Sequence, residues 1–237
     1  MFFDEYPRFL ETSRTVGHLN RLNKRHHAIF GSVPSLFQGR RVLDIASHDG
    51  RWSFAALKAG AAHVFGIEPR EHLVRNARET LAAYGCDRSS FRFEQGDVFE
   101  VLSKSEEKFD AVLCLGFFYH TYRHPELMAL IKRCAPQVLV MDTAVHNEEG
   151  MLCRVKRDKS ELEWDAAHDA STYKGETYAA FPTPALLKDM LTHFDFNYQE
   201  VDWRAVINLD GNTTWVDDYE VGRRVTMICR SVSESGS

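Results

Sequence analysis

Disulfide frameworks, membrane spans and basic stripes are all missing from this sequence. Its cysteines (Cys86, Cys114, Cys134, Cys153 and Cys229) are odd in number and never spaced C-x-x-C. That excludes a paired-cysteine redox motif and argues against a disulfide-stapled secreted fold. Two of them lie in apolar runs, AVLCLGFF and VTMICRS, so buried reduced thiols in a cytoplasmic protein are expected. No apolar run approaches the roughly 18 residues that a membrane helix needs. The opening MFFDEYPRFL has early acids, a proline and no basic n-region, so no signal peptide is expected. Positive charge is not in excess either: 29 Lys and Arg face 34 Asp and Glu, a net charge of −5. Neutralising phosphates calls for a basic face, so a nucleic-acid partner is disfavoured.

What is present is an alternation of strand-like and helix-like segments across 237 residues, 44% hydrophobic and 27% charged. Strand-like runs fall at 40–46, 62–68, 90–95, 109–116 and 137–142. Helical patterns lie between them at 51–59, 70–84 and 125–134, and Pro69 stands just ahead of the second, as helix starts favour. An amphipathic helix is expected at 18–30, with Leu19, Leu22, His26 and Ile29 on one face. This βαβ rhythm predicts an α/β fold: a doubly wound Rossmann-like sheet of five parallel strands. A last helix at 184–194 and the runs FNYQEVDW and RRVTMICRS predict a C-terminal antiparallel strand pair. Segment 143–180 reads as polar and irregular, long enough to be a functional insertion.

In such a sheet, ligands collect at the carboxyl ends of the strands. Four consecutive strand ends carry suitable groups. Asp44 and the turn through Gly50 end the first; Glu68 ends the second, placed to accept from ribose hydroxyls. Gly96, Asp97 and Val98 follow the third, with an acid suited to an adenine amino group. Leu115 and Gly116 end the fourth. Each residue also has a plainer role: Asp44 and Asp97 as caps, Glu68 as a surface acid before Pro69.

Together the segments VLDIASHDG, GIEPREHLVRNAR, EQGDV and FDAVLCLGFFYH resemble those of the class I S-adenosylmethionine-dependent methyltransferases, over residues 35 to 142. The resemblance implies S-adenosylmethionine as cofactor, with contacts from Asp44, Ala46, His48, Gly50, Trp52, Glu68, Gly96, Asp97, Val98 and Leu115. Two of the family's three loop glycines are replaced here by Ala46 and His48. The His48 ring must therefore point aside or meet the cofactor's carboxylate end. The whole chain then reads as one methyltransferase domain: a helical cover (1–34), a cofactor-binding core (35–142), a substrate lid (143–180) and a closing helix and strand pair (181–237).

An alcohol acceptor needs a base to take its proton during in-line attack. His146, four residues past Asp142, is the expected base, with His120 or Tyr119 orienting the acceptor. Imidazole suits the task because it titrates near neutrality. Asp142, His146 and Glu148 also offer a loose site for a magnesium ion. Tyr173 and Glu176, with Trp164, His168 and Asp169, give the lid a mixture suited to a polyhydroxylated ligand. FFDEYPRF and DIASHDGRWSFAAL further resemble sugar methyltransferases that cap short 3-O-methylated mannosides at the 1-hydroxyl. The expected activity is O-methylation of a small polar acceptor, a saccharide. Two alternatives stand beside it. GFFYHTYRHPELM and FPTPALLKDML resemble enzymes that alkylate a wobble uridine in tRNA, for which LNRLNKRHH and RVKRDK would contact phosphates. The substituted glycines alone suit a non-catalytic binder of S-adenosylmethionine or S-adenosylhomocysteine. Phe2, Phe3, Tyr6 and Phe9 suit either a homodimer contact or a cover over the chain's own site.

Overall fold

The computed structural model describes residues 1–11, 18–31, 34–159 and 172–232. A short turn of helix at Phe2–Glu5 and α1 (Arg8–Glu11) lead to α2 (Leu19–His26), which widens into a π-turn at His27–Gly31. Then come β1 (Arg41–Ile45), α3 (Arg51–Lys58), β2 (His63–Glu68), α4 (Glu71–Ala83), β3 (Phe91–Gln95) and α5 (Val98–Lys104). They are followed by β4 (Ala111–Leu115), α6 (His124–Arg133), β5 (Val138–Ala144), β6 (Cys153–Lys159) and β7 (Glu176–Pro182). The chain continues through α7 (Pro184–His193), β8 (Phe196–Glu200), α8 (Trp203–Asn208), α9 (Asp217–Glu220) and β9 (Arg224–Ser231).

The main sheet has the order β3-β2-β1-β4-β5-β9-β8. The first five strands are parallel, and β9 runs antiparallel to both β5 and β8. The predicted doubly wound sheet with its antiparallel C-terminal pair is therefore observed. Alternate residues of β1 feed opposite layers. Leu43 and Ile45 pack with Phe99, Leu127 and Ile131, and Val42 packs with Phe54, Ala77 and Leu81. Both faces are covered, as a parallel sheet requires. Because β1 lies between β2 and β4, the chain order reverses there, and the carboxyl ends of β1 and β4 are the switch point at which such sheets bind ligands.

Three expectations need correction. Segment 143–180 is not irregular throughout: β6 and β7 form a separate antiparallel ribbon in register from Cys153↔Pro182 to Lys159↔Glu176. The strand was hidden because β6 is exposed on nearly every residue, so no apolar alternation marks it. FNYQEVDW is not one strand. It stops at Glu200, and Asp202 caps α8 by accepting N–H bonds from Arg204 and Ala205 at 3.0 and 3.3 Å. The buried face of α2 is not purely apolar, since Asn23, Lys24 and Arg25 are buried with Leu22.

The N-terminal aromatic residues pack on their own chain. Phe3 and Phe9 are fully buried, meeting Trp52, Phe54 and Tyr84 at ring separations of 5.3 to 5.8 Å. Each such burial is worth roughly 1.5–3 kcal/mol. All five cysteines are free; Cys114, Cys134 and Cys229 are buried, but Cys153 is exposed. Among the described residues, no helix is long and apolar enough to cross a membrane.

Candidate active site

The turn after β1 keeps a glycine-type backbone at two positions that are not glycine. Ala46 and His48 have φ of 52° and 54°, and Gly50 has 78°. For an L-residue that region costs about 1–2 kcal/mol. Such strain persists only where surroundings enforce it, and it gathers at functional sites. Here the surroundings are clear: Ser47 N–H bonds the Ile67 carbonyl at 2.9 Å, and Gly50 N–H bonds that of Ser47 at 2.9 Å. At Gly50 a side chain would also collide, its Cβ lying 2.9 Å from Ala77 Cβ on α4.

Carboxylates crowd this edge. Glu68 is buried and accepts backbone N–H bonds from His48 and Arg70, each at 3.1 Å. A carboxylate has about four lone-pair positions, so acceptor capacity remains. Asp49 is held by Arg51, whose Nε and Nη2 donate at 2.8 and 2.7 Å. Burial opposes its charge, yet Arg51 and His48 hold it well below the usual range. Asp44 accepts from the Ser53 hydroxyl at 2.6 Å and from the Ser53 backbone N–H, but burial first, with Asp49 and Glu68 nearby, pushes it up to about 7. Asp97 caps α5, accepting the Glu100 N–H at 3.0 Å.

Among the described residues, seven buried side-chain polar atoms make no hydrogen bond. Four of them, Ser47 Oγ, both ring nitrogens of His48 and His120 Nδ1, lie beyond the ends of β1 and β4. Buried polar groups are normally satisfied, so this concentration marks a place fitted to receive a polar ligand. His48 Nδ1 has only an ionic approach to Asp49 Oδ1, at 3.5 Å.

The end of β5 is built differently. Asp142 is fully buried and accepts from Arg25 Nη2 (3.0 Å), Arg224 Nε (2.7 Å), Tyr219 Oη (2.8 Å) and Thr226 Oγ1 (2.6 Å). Burial works against its charge, but Arg224 first and Arg25 next hold it far below the ordinary carboxylate value. It ties together α2, α9 and β9, so its oxygens are already engaged. Among the described residues, no group of three or more His, Cys, Asp or Glu is placed to hold a metal. The expected magnesium site at Asp142 and His146 finds no support: His146 turns to Glu148, Nε2 to Oε1 at 2.9 Å.

Tyr119 and His120 follow β4, their rings 4.1 Å apart, with the Arg224 guanidinium 5.4 Å from the Tyr119 ring. Desolvation, then Arg224, Arg70 and Lys156, push His120 down to about 3. It is a neutral imidazole at ordinary pH, suited to hydrogen bonding. Next to this corner, between the β5 end and the ribbon, lies a cleft of about 540 Å³ lined in part by His146, Glu148, Arg154 and Phe181.

Not every expected residue reaches the edge. Trp52 is buried among Phe3, Phe30 and the Arg25 guanidinium, so it packs the N-terminal cover and does not face that edge. Val98 is buried at the start of α5, while Gly96 and Leu115 are half-buried. Tyr173 and Glu176 stand exposed at the far end of the ribbon; Glu176 is five residues, roughly 16 Å, from Phe181. Trp203 stacks on Tyr219 at 3.5 Å, Trp215 on His18 at 4.0 Å, and Asp218 binds Arg21. Trp164, His168 and Asp169 lie outside the described residues. Arg224, Arg25 and Tyr219 were missed. The pairing of β9 beside β5, with Ala144 opposite Arg224, brings Arg224 to Asp142, and α2 and α9 bring Arg25 and Tyr219.

Residues 42–139 match the family model described as a methyltransferase domain. A 23S rRNA (uracil(1939)-C(5))-methyltransferase of Neisseria lactamica is 32% identical over 127 residues, 48% of this chain and 27% of that protein. A tRNA U34 carboxymethyltransferase of Pseudomonas putida is 29% identical over 124 residues, 52% of this chain and 38% of that one. The matches thus span well under half of these relatives' length. Among solved structures, the N-terminal domain of EvdMO1, crystallised with SAH and D-fucose, aligns with TM-score 0.57 and 18% identity over 91% of this chain and 84% of that one. An S-adenosylmethionine-dependent methyltransferase from Mesorhizobium loti aligns with TM-score 0.58 and 15% identity, covering 86% and 97%. Residues 42–139 thus match a methyltransferase domain, and the fold of the described residues is similar to that of S-adenosylmethionine-dependent methyltransferases of known structure.

Proposed function

We propose that the protein is an S-adenosylmethionine-dependent O-methyltransferase acting on a hydroxyl of a small polar acceptor, a saccharide. The observation that carries this reading is the strained turn: Ala46 and His48 keep positive φ, and Ser47 Oγ and both His48 ring nitrogens within it are buried without a hydrogen bond. Glu68, Asp97, Ser47 and His48 are the residues that would hold the cofactor. Bound there, it supplies a methyl group already activated on a sulfonium. The chain's part is to align the acceptor, exclude water and remove a proton.

His146 is the proposed base, because Glu148 fixes the ring and balances the charge gained when it takes the acceptor's proton. His120, neutral and with Nδ1 unbonded, is assigned to orienting the acceptor with Tyr119. The saccharide preference draws on the likeness of FFDEYPRF and DIASHDGRWSFAAL to mannoside methyltransferases and on the D-fucose in the EvdMO1 domain structure. Capping a short 3-O-methylated mannoside at the 1-hydroxyl is the finest form of this reading.

The RNA alternative rests on curated relatives named as RNA enzymes. Against it, Arg21, Lys24 and Arg25 of the first basic run are engaged by Asp218, Asp210 and Asp142. The test is calorimetry with S-adenosylhomocysteine, then single-turnover transfer of labelled methyl to mannosides and to tRNA. His146→Ala is expected to slow transfer about 10²- to 10⁴-fold with cofactor affinity unchanged. A rate within twofold of wild type removes His146 as base. Binding without turnover on either acceptor favours the non-catalytic alternative.

A further inference from the structure

We propose that the acceptor carries a carboxylate or phosphate group, received by the cleft between the end of β5 and the β6–β7 ribbon. The proposal rests on the methyl-transfer reading but departs from its finest form: it puts an anionic saccharide in place of the neutral mannoside. Among the described residues, Arg154, Lys156 and Arg223 line this cleft against one carboxylate, Glu148, which is itself engaged by His146. Arg154 and Lys156 are two apart on β6 and so point to the same face of the ribbon. Phe181 is the register partner of Arg154, and Lys156 Nζ stands 5.4 Å from its ring. The cations are poorly compensated. Arg223 meets Asp217 at 3.3 Å through largely exposed side chains, where pairing is weak, and Lys156, itself half exposed, meets the more buried Asp158 at 3.2 Å. Arg154 has no ion pair among the described residues.

The cleft continues to the transfer corner. The Phe181 ring is 5.5 Å from that of Tyr119, which is 4.1 Å from that of His120. The charges that bear on His120 from outside its own loop, Arg224, Arg70 and Lys156, are all positive. A neutral sugar would gain little from such a wall, which offers donors and few acceptors. An anionic group meets arginine donors in the fork geometry that carboxylates and phosphates fit. Cations on a concave wall also focus the field that draws the ligand in.

The full-length chain, saturated with S-adenosylhomocysteine, is titrated with glucose, glucuronate and glucose 6-phosphate by calorimetry at two salt concentrations. At least one anionic sugar is expected to bind about tenfold tighter than glucose, a difference that shrinks with salt. The charged sugar that binds tells a carboxylate from a phosphate source. Arg154→Gln with Lys156→Gln is expected to abolish the preference while leaving the melting temperature and S-adenosylhomocysteine affinity as in wild type. Equal binding of all three sugars, or a preference that survives the double substitution, overturns the proposal. A tRNA transcript that displaces glucuronate from the same residues also overturns it, in favour of RNA. Failure to bind S-adenosylhomocysteine at all removes the methyl-transfer reading instead, and is seen before any sugar is added.

Discussion

Asp44 and Asp142 lie on the two strands that flank β4, and both are shut away from solvent. Their surroundings treat them in opposite ways. Asp142 is met by two guanidiniums and two hydroxyls, so its charge is neutralised where it stands. Asp44 is met by the hydroxyl and backbone N–H of Ser53, with no cation to balance it and two neighbouring carboxylates that oppose its ionisation. A buried charge with a full set of partners is a fastener. One without them is poised for something that arrives later, and perturbed titration in a crevice is a recognised mark of function. The β1–β2 edge is accordingly acidic, which suits the positive charge of the proposed methyl donor, and the β5–β6 side is basic.

The sharpest way to break this comparison is to remove the fastener. Asp142→Ala leaves Arg25 and Arg224 buried without their carboxylate, a change that costs about 3–5 kcal/mol. Urea unfolding should register that loss. A loss below about 1 kcal/mol would mean that the arginines find other partners and that Asp142 is not a structural hub.

The sequence made the acidic side legible and hid the other. Asp44, Glu68 and Asp97 fall at strand ends in a regular βαβ rhythm, so local pattern was enough to place them. The Asp142 cluster joins residues separated by as many as 117 positions, as with Arg25, and no local pattern announces it. Arg224 begins a strand and reads as a surface charge until β9 is set antiparallel to β5. The β6–β7 ribbon was missed for a different reason: RVKRDK is exposed almost throughout and carries no hydrophobic period. Trp52 was misplaced because its neighbours in sequence belong to the turn, whereas its neighbours in space come from the N-terminal cover.

A smaller effect separates the two aspartates by pH. The Asp44 carboxyl, pushed up to about 7, keeps in the folded state a proton that the unfolded chain releases near pH 4. Its contribution therefore weakens the fold as pH rises across that window. Asp142, held far below the usual value, contributes stability above about pH 4 that is lost as pH falls. Asp44→Asn should thus gain on wild type by roughly 2–3 kcal/mol between pH 5 and pH 8. Thermal melts across that range check it; parallel curves would show that Asp44 is ionised in both states.

The smallest effect tests the turn itself. Ala46→Gly should relieve a left-handed backbone at the cost of greater freedom in the unfolded chain, a net gain of about 0.5–1 kcal/mol. For a chain of this length that is about 2–4 °C per kcal/mol in melting temperature. His48→Gly relieves the same strain at φ 54° but also deletes a ring whose nitrogens make no hydrogen bond. The two substitutions therefore share the backbone gain, from which His48→Gly loses what the ring contributes to holding Asp49, and they part on binding. If the ring serves the cofactor, His48→Gly weakens S-adenosylhomocysteine binding severalfold while Ala46→Gly leaves it unchanged. Equal affinities would show that the imidazole points aside and that only the backbone of this turn matters to the ligand.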